Sequence, residues 1–297
     1  NYAPLFNIPI AMGEHDLSLT WLGVSSLLVC DGNKAFLTDG FFSRPGLLKV
    51  GLGKLKPDLD RIADVLNRAE ITSLDAVVPV HSHFDHVMDS PEVASHTGAR
   101  LIGSESSAFV ARGWGMQEKD ITSVTHGETL RVANGELTFI DSAHCPPDRY
   151  PGTINEPVIP PVSATAYRCG EAWSLVYQHD SGKSVLIQGS AGYVPGALAG
   201  QQVDVAYLGV GQLGIQSEKF IREYWHEMVR TTGAKRVVLI HWDDFFRSLD
   251  HPPRALPYAG DDLDVTMRAF RQFAKEDGVS LHFPTVWQRE DPWAFGS

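Results

Sequence analysis

The chain is poor in cysteine and in basic residues, and each shortage argues against a class of protein. It has three cysteines in 297 residues, and no two of them have the close spacing of a zinc knuckle. A bridge between Cys145 and Cys169 is the pairing that the sequence leaves open. Lys and Arg number 25 against 36 Asp and Glu, so the formal net charge is -11. Because phosphate binding needs clustered Lys and Arg, we expect no nucleic-acid partner.

Long apolar runs are also missing. No run approaches the about 18 residues that suggest a membrane span, and we recognise no signal peptide. The first residue is Asn1 rather than Met, so we interpret the N-terminus as processed or trimmed, with a cytoplasmic or an exported location both open. The hydrophobic share of 43% is typical of a soluble protein with a sizeable core. We expect one domain over residues 1–297 that acts on a small molecule, and the oligomeric state stays open.

Strand-like and helix-like segments alternate along the chain. Strands are predicted in the apolar segments LSLTWLG (17–23), SSLLVCDG (25–32), KAFLTDG (34–40), DAVVPV (75–80), ARLIG (99–103), TLRV, ELTFIDS (136–142), AWSLVYQ, SVLIQG, DVAYLG and KRVVLIH. Helices are predicted over about 58–69, 90–98, 105–112, 217–231 and 262–277. Residues 145–163 are Pro-rich and aperiodic, which predicts an ordered loop or lid. This order of elements favours sheets in the middle with helices outside.

Four residues that can bind a metal stand within six positions, in the motif HSHFDH at 81–86. In an extended segment, side chains two positions apart point the same way. His81, His83 and Asp85 would then share one side, and a turn after Asp85 would bring His86 round to it. Clustered imidazoles repel when protonated and buried polar groups need partners, and a metal ion removes both problems. Imidazole and carboxylate together suit zinc, and also iron or manganese.

Two more histidines follow apolar strands directly, as the HSHFDH motif does. His144 stands after ELTFIDSA, and His241 stands after KRVVLI. Because strands of one sheet layer deliver the residues after them to one edge, we expect both histidines near the motif. Two further strands also end in polar residues, Asp39 after AFLT and Ser190 after SVLIQG.

These residues resemble the metallo-β-lactamase superfamily, over nearly the whole chain from TWLG near residue 20 to the helix before Gly278. HSHFDH is its HxHxDH motif, with two later ligand positions filled by histidine. The resemblance implies an α+β fold, a four-layer αββα sandwich with the metals at one edge of the two sheets. It also implies two divalent ions, zinc ahead of manganese or iron, with a first site at His81, His83 and His144 and a second at Asp85, His86 and His241.

The resemblance further implies a hydrolase in which a metal-bound hydroxide attacks an ester, a lactone or a phosphodiester. Asp85 would orient that hydroxide or carry a proton, and Asp39 would fix a ligand histidine or the turn. Many relatives carry a bridging Asp where this chain has Ser190, so either one metal binds or two bind without that bridge. We favour two, because each keeps three protein ligands. The opening LTWLG is similar to the branch of L-ascorbate-6-phosphate lactonase, but Val24 stands where that branch has His.

Other functions stay open. A mononuclear iron oxygenase, a β-lactam hydrolase or an inactive metal-binding relative would use the same ligands on the same fold. GVGQLG at 209–214 matches a dinucleotide-binding pattern, but Lys235 stands where an acid is required, so we interpret these glycines as a turn beside the site. Tyr193, Asp243 and Tyr258 are candidates for the pocket wall because they lie close to site residues in sequence.

Overall fold

A computed structural model describes residues 2–13 and 16–294; the first residue, on which the N-terminal expectation rests, lies outside them. The strands are β1 (Ser18–Trp21), β2 (Leu27–Asp31), β3 (Lys34–Thr38), β4 (Ala76–Val78), β5 (Arg100–Gly103), β6 (Ile121–Ser123), β7 (Thr129–Val132), β8 (Gly135–Ser142), β9 (Ala172–His179), β10 (Ser184–Gln188), β11 (Val205–Gly209), β12 (Arg236–Ile240), β13 (Ser280–His282) and β14 (Arg289–Glu290). The helices are α1 (Leu47–Leu52), α2 (Leu59–Arg68), α3 (Phe84–Val87), α4 (Ser90–Thr97), α5 (Glu105–Trp114), α6 (Glu218–Trp225) and α7 (Leu263–Asp277). Every helix in these ranges is too short or too polar to cross a bilayer.

Each predicted strand and helix has a counterpart in the structure, with three kinds of difference. The strand predicted over residues 75–80 ends at Val78, because Pro79 has no N–H to donate to a neighbouring strand. The helix predicted over 217–231 is divided into α6 and a π-helical turn, His226–Arg230. The sequence reading missed α1 and the short strands β6, β13 and β14, which are too brief to show a periodic pattern.

Two seven-stranded sheets form the middle of the fold. Their strand orders are β14-β1-β2-β3-β4-β5-β6 and β13-β12-β11-β10-β9-β8-β7. In each sheet the strands that come early in the chain pair antiparallel and the later ones pair parallel. The exception is β14, which returns to the edge of the first sheet and pairs with β1, placing Leu19 opposite Glu290.

Alternate residues of the first sheet pack on opposite faces, as a pleated strand requires. Val29 and Phe36 face the second sheet and join the large core between the sheets. Their neighbours Leu28 and Leu37 face outward and pack in a separate core cluster with Ile62 and Leu66 of α2. Helices α6 and α7 cover the second sheet in the same way, so the predicted four-layer αββα sandwich is confirmed.

Residues 145–163, the Pro-rich loop, are irregular and packed, in agreement with the prediction of an ordered loop. Ile154 and Val158 are buried in a third core cluster. Leu55, just after α1, exchanges two backbone hydrogen bonds with Val162. The loop is thereby held against α1, and it follows His144 directly.

A buried carboxyl on β14 leads to a prediction about stability and pH. Glu290 is 1% exposed, and burial raises its pKa from 4.5 to about 8 even though the Thr285 N–H donates to it. The folded state therefore keeps a proton that the unfolded state releases between these two values. We expect the free energy of unfolding to fall as the pH rises from 4.5 to 8, by at most about 1.4 kcal/mol per pH unit from this group.

Glu290→Gln removes this titration and keeps an acceptor for Thr285. In urea unfolding at pH 5, 7 and 9, the variant should gain stability relative to the native chain between pH 5 and pH 8 and gain nothing more above it. An identical pH dependence in the two proteins would show that Glu290 is ionised in the folded state.

Candidate metal centre

The HSHFDH segment lies at the C-terminal end of β4 and leads into α3. His83 is the last extended residue, and it precedes the single helical turn Phe84–Val87. The prediction of an extended segment as far as Asp85 is therefore wrong, because Asp85 and His86 are both presented by this turn. The turn buries Phe84 in the cluster that also holds the Pro-rich loop, and this burial stabilises the helical conformation over the extended one.

The six predicted ligand residues form two neighbouring groups. The first group contains His81, His83 and His144, and the second contains Asp85, His86 and His241. Within each group the potential ligand atoms lie within 4.8 Å of one another. The groups adjoin, since the ring centroids of His81 and His86 are 3.8 Å apart. Residues that are far apart in sequence, on loops from both sheets, are thus brought to one edge.

In two of these histidines, one ring nitrogen donates a hydrogen bond, and this leaves the other ring nitrogen to face its ligand group. His86 Nδ1 donates to the Asp39 carboxylate at 2.8 Å, and His144 Nδ1 donates to the Cys145 carbonyl at 2.6 Å. His86 Nε2 is buried with no hydrogen-bond partner and lies 3.6 Å from Asp85 Oδ2. An unpartnered buried imidazole nitrogen beside a carboxylate suits a divalent ion. The donor set therefore fits a metal.

The protonation states of three of these groups also suit metal binding, whereas the pKa of His86 is raised because the Asp39 and Asp85 carboxylates outweigh the effect of burial. Burial lowers the pKa of His81 well below its ordinary value, and it lowers the pKa of His144 to about 4. Burial would raise the pKa of Asp85, but the neighbouring His86 and the hydrogen bond with His241 outweigh it, so the pKa of Asp85 is lowered. Neutral imidazole and ionised carboxylate are the forms that bind metal ions.

Asp39 lies directly behind the second group. Its carboxylate accepts hydrogen bonds from His86 Nδ1, from the Ser25 hydroxyl at 2.6 Å and from the Val80 N–H at 2.8 Å. Its backbone is left-handed, with φ of 54°, and its carbonyl accepts from the Ser90 hydroxyl at 2.5 Å. Asp39 thus contacts His86, a predicted ligand, and also the turn that carries it, the two alternatives that the sequence left open for this residue.

Ser190 lies under the peptide that follows His144. The Ser190 hydroxyl accepts the Cys145 N–H at 3.0 Å, and the Ser190 carbonyl accepts from Gln188 Nε2 at 2.7 Å. Cys145 and Cys169 are both free thiols, so the bridge that the sequence left open is absent. Ser190 therefore holds the backbone beside a ligand residue, which is a supporting contact.

The GVGQLG turn also supports the site. A Cβ atom on Gly211 would come within 3.1 Å of His241 Nδ1, and one on Gly214 would collide with the Asp262 carbonyl at 1.9 Å. The Gly214 N–H donates to the Asp261 carboxylate at 2.9 Å. The glycines thus allow close packing beside His241, as the sequence interpretation expected.

A third group connects the site to the Pro-rich loop, and sequence reasoning missed it. His83 Nε2 lies 3.1 Å from Asp148 Oδ1 and 3.3 Å from the Tyr150 carbonyl oxygen. Asp148 and Cys169 complete a set whose potential ligand atoms lie within 4.8 Å of one another. The only available signal was an acid four residues after His144. A pocket of about 410 Å³ opens here, and its wall includes His144, Asp148, Gly152, Cys169, Glu171 and Val194.

The three residues suggested for the pocket wall lie elsewhere, within the part of the chain that the structure describes. The Tyr193 hydroxyl donates to Glu223 at 2.7 Å. Tyr258 is 73% exposed and donates to Asp264. Asp243 is fully buried in an ion pair. Proximity in sequence was therefore a poor guide to the pocket, whose wall comes from the end of β8, the Pro-rich loop and the residues around the start of β9.

The ion pair of Asp243 supports the backbone of His241, a predicted ligand residue. Its partner is Arg44, and both side chains are at most 2% exposed. The other Asp243 oxygen accepts the Val24 N–H at 2.9 Å, and the Val24 carbonyl accepts the His241 N–H at 2.8 Å. Arg44, Val24 and His241 all have positive φ, and for β-branched Val24 this conformation is strained. Arg44 and Asp243 are so far apart in sequence that their spacing could not predict this ion pair.

With this geometry established, comparison with known proteins assigns the family. The profile of the Beta-lactamase superfamily domain matches residues 36–242, a range that contains both ligand groups. The chain belongs to the β-lactamase superfamily. One curated relative, the UPF0173 metal-dependent hydrolase of Anaeromyxobacter sp. (strain K), is 27% identical over 130 residues, and the match covers 42% of this chain. The match spans only 42% of that relative.

Two solved structures are similar to this chain over most of its length. The isothiocyanate hydrolase from Delia radicum gut bacteria aligns over 95% of this chain and 100% of its own, with a TM-score of 0.56 and 15% identity. CmlA, a diiron beta-hydroxylase from Streptomyces venezuelae, aligns over 93% of this chain and 54% of its own, with a TM-score of 0.58 and 13% identity. At these identities the likeness shows the fold alone.

The buried ion pair behind His241 gives a stability prediction with a matched control. Asp243→Ala leaves the Arg44 charge buried without its partner and frees the Val24 N–H, so we expect a loss of about 3–5 kcal/mol in the free energy of unfolding. Arg254→Ala removes the exposed partner of Asp244 and should cost under about 1 kcal/mol. Urea unfolding measures both changes, and similar losses in the two variants would contradict the role given to Asp243.

Proposed function

We propose that this chain is a metal-dependent hydrolase that holds two divalent ions, one in each ligand group. The observation that carries the proposal is the pair of adjacent three-residue groups, whose ligand atoms lie within 4.8 Å in each. The name of the curated relative, a metal-dependent hydrolase, supports the same activity. Histidine nitrogen and carboxylate oxygen favour zinc, with manganese or iron as the other candidates.

Ions bound in the two groups would supply an activated water at neutral pH and would polarise the oxygen of a substrate carbonyl or phosphoryl group. The side chains of this protein would position the reacting groups. Asp85 lies 3.6 Å from His86 Nε2 and 3.5 Å from His241 Nε2, with its pKa held low. An ionised carboxylate at this point would accept a hydrogen bond from the attacking water and orient it.

The substrate class we propose is an ester, a lactone or a phosphodiester. The wall of the pocket beside His144 includes Asp148 and Gly152 of the Pro-rich loop. We propose this loop as a lid that excludes water during turnover. The lactonase-like branch receives no support from the site, because Val24 is fully buried in the apolar cluster and offers no polar group to a substrate.

Metal content tests the two-ion site directly. The native chain, purified without added metal and analysed by inductively coupled plasma mass spectrometry, should hold about two equivalents. His144→Ala damages only the first group and His86→Ala only the second, so each variant should retain about one. His126→Ala changes a histidine whose side chain is 54% exposed and should retain two.

One equivalent of metal in the native chain, unchanged in one of the two ligand variants, would overturn the two-ion proposal. One equivalent of iron with no hydrolysis of any ester, lactone, phosphodiester or β-lactam would favour the mononuclear oxygenase instead.

The role of Asp85 is tested by turnover on whichever substrate the screen identifies. Asp85→Asn keeps the size of the side chain and removes its charge, so we expect kcat to fall by at least about 100-fold. The matched control is Asp180→Asn, which changes an exposed acid paired with Arg131 on the hairpin between β9 and β10, and it should keep native turnover. Native kcat in metal-saturated Asp85→Asn would remove Asp85 from the mechanism.

A further inference from the structure

Helix α1 carries the most exposed cluster of leucines among the described residues. Leu47 is 63% exposed, Leu48 is 79% exposed and Leu52 is 89% exposed. At 3.6 residues per turn these three leucines fall within an arc of about 140°, and Val50 lies outside that arc. Val50 is buried against Leu55, Phe84 and the Pro-rich loop. The helix is thus anchored by one side chain while its leucines project into solvent.

Exposed leucines on adjacent positions need a physical explanation. Singly exposed apolar residues are ordinary on protein surfaces, but contiguous exposed patches mark interaction sites. Val50 is the residue of α1 that packs in the core, and the three leucines do not belong to any core cluster of the described residues. Each would lose unfavourable contact with water on entering an apolar medium.

The charged residues near the leucines indicate what kind of apolar surface these leucines contact. Residues 41–57 contain no Asp or Glu, and the lysines in this stretch, Lys49, Lys54 and Lys56, are all exposed. The whole chain carries a formal charge of -11, so this stretch is a local cationic region on an acidic protein. Leucines flanked by lysines match a surface that has an apolar interior and an anionic boundary.

The size of the patch argues against a second protein chain as its partner. A standard protein interface uses about 20–30 residues and about 800 Å² on each side. Three leucines and three lysines fall far short of that. Reversible binding to a bilayer requires less, namely a few inserted apolar side chains together with a basic cluster.

We propose that the patch formed by Leu47, Leu48, Leu52 and the three lysines is a docking site for an anionic lipid bilayer. The leucines enter the interface and the lysines pair with lipid phosphates. Val50 and Phe84 of the HSHFDH segment belong to one core cluster, so packed side chains connect the proposed docking site with the helical turn that carries Asp85 and His86. The proposal stands independently of the hydrolase activity.

Sedimentation with vesicles tests this site. The full chain is mixed with vesicles of phosphatidylcholine containing 30% phosphatidylglycerol, or with phosphatidylcholine alone, at low and at high salt. We expect at least a tenfold tighter partition onto the anionic vesicles, weakened by salt because exposed charges are screened. Leu48→Ser with Leu52→Ser should reduce partition at least tenfold, and Ile215→Ser, at a residue 51% exposed elsewhere, should leave it unchanged.

Replacing Lys49, Lys54 and Lys56 with Gln separates the two parts of the patch. This variant should lose its preference for anionic vesicles and keep the weak binding to phosphatidylcholine. Circular dichroism and thermal unfolding check that each variant folds. We expect all of them to fold, because the changed side chains are exposed. Absence of native binding, or equal binding by the leucine variant, overturns the proposal. Sedimentation velocity gives the alternative: a dimer that the leucine variant abolishes would assign the patch to a second copy.

Discussion

The carboxylate of Asp39 is the contact on which the geometry of the site depends. It is completely buried, and it joins three parts of the chain: the turn after β1, the end of β4 and the helical turn that carries His86. A buried carboxylate is tolerated only when hydrogen bonds satisfy it. The fold therefore satisfies the Asp39 carboxylate, and the same carboxylate orients His86. A change that removes one of these contacts also disturbs the other.

The two ligand groups differ in their electrostatic support. The first consists of histidines alone, whose donors are neutral because burial disfavours the protonated forms. The second contains Asp85 and is backed by Asp39, so two carboxylates lie on either side of His86. Negative charge would attract a cation into the second group, whereas the first would rely on the directed lone pairs of its imidazoles. The two groups share an edge but would hold an ion by different means.

The sequence predicted the layers of the fold and the meeting of the six ligand residues, because both follow from local patterns. Apolar strands with polar residues just beyond them deliver those residues to one edge, whatever the details of the loops. The helical turn at Phe84 was not predictable in this way, since it depends on burial of Phe84 against a loop about 70 residues later. The Arg44–Asp243 pair and the contact between Asp148 and His83 depend on tertiary packing alone. The pocket wall belongs to the same category.

The return of β14 to the first sheet has a consequence for how this chain acquires its structure. Strand β1 is synthesised well before the residues near 290 that pair with its outer edge. Throughout synthesis that edge keeps unpaired N–H and C=O groups, the kind of template on which chains associate. Residues near 290 thus protect β1, and a chain stalled shortly before Glu290 would present an open sheet edge although the residues of both candidate ligand groups were already made.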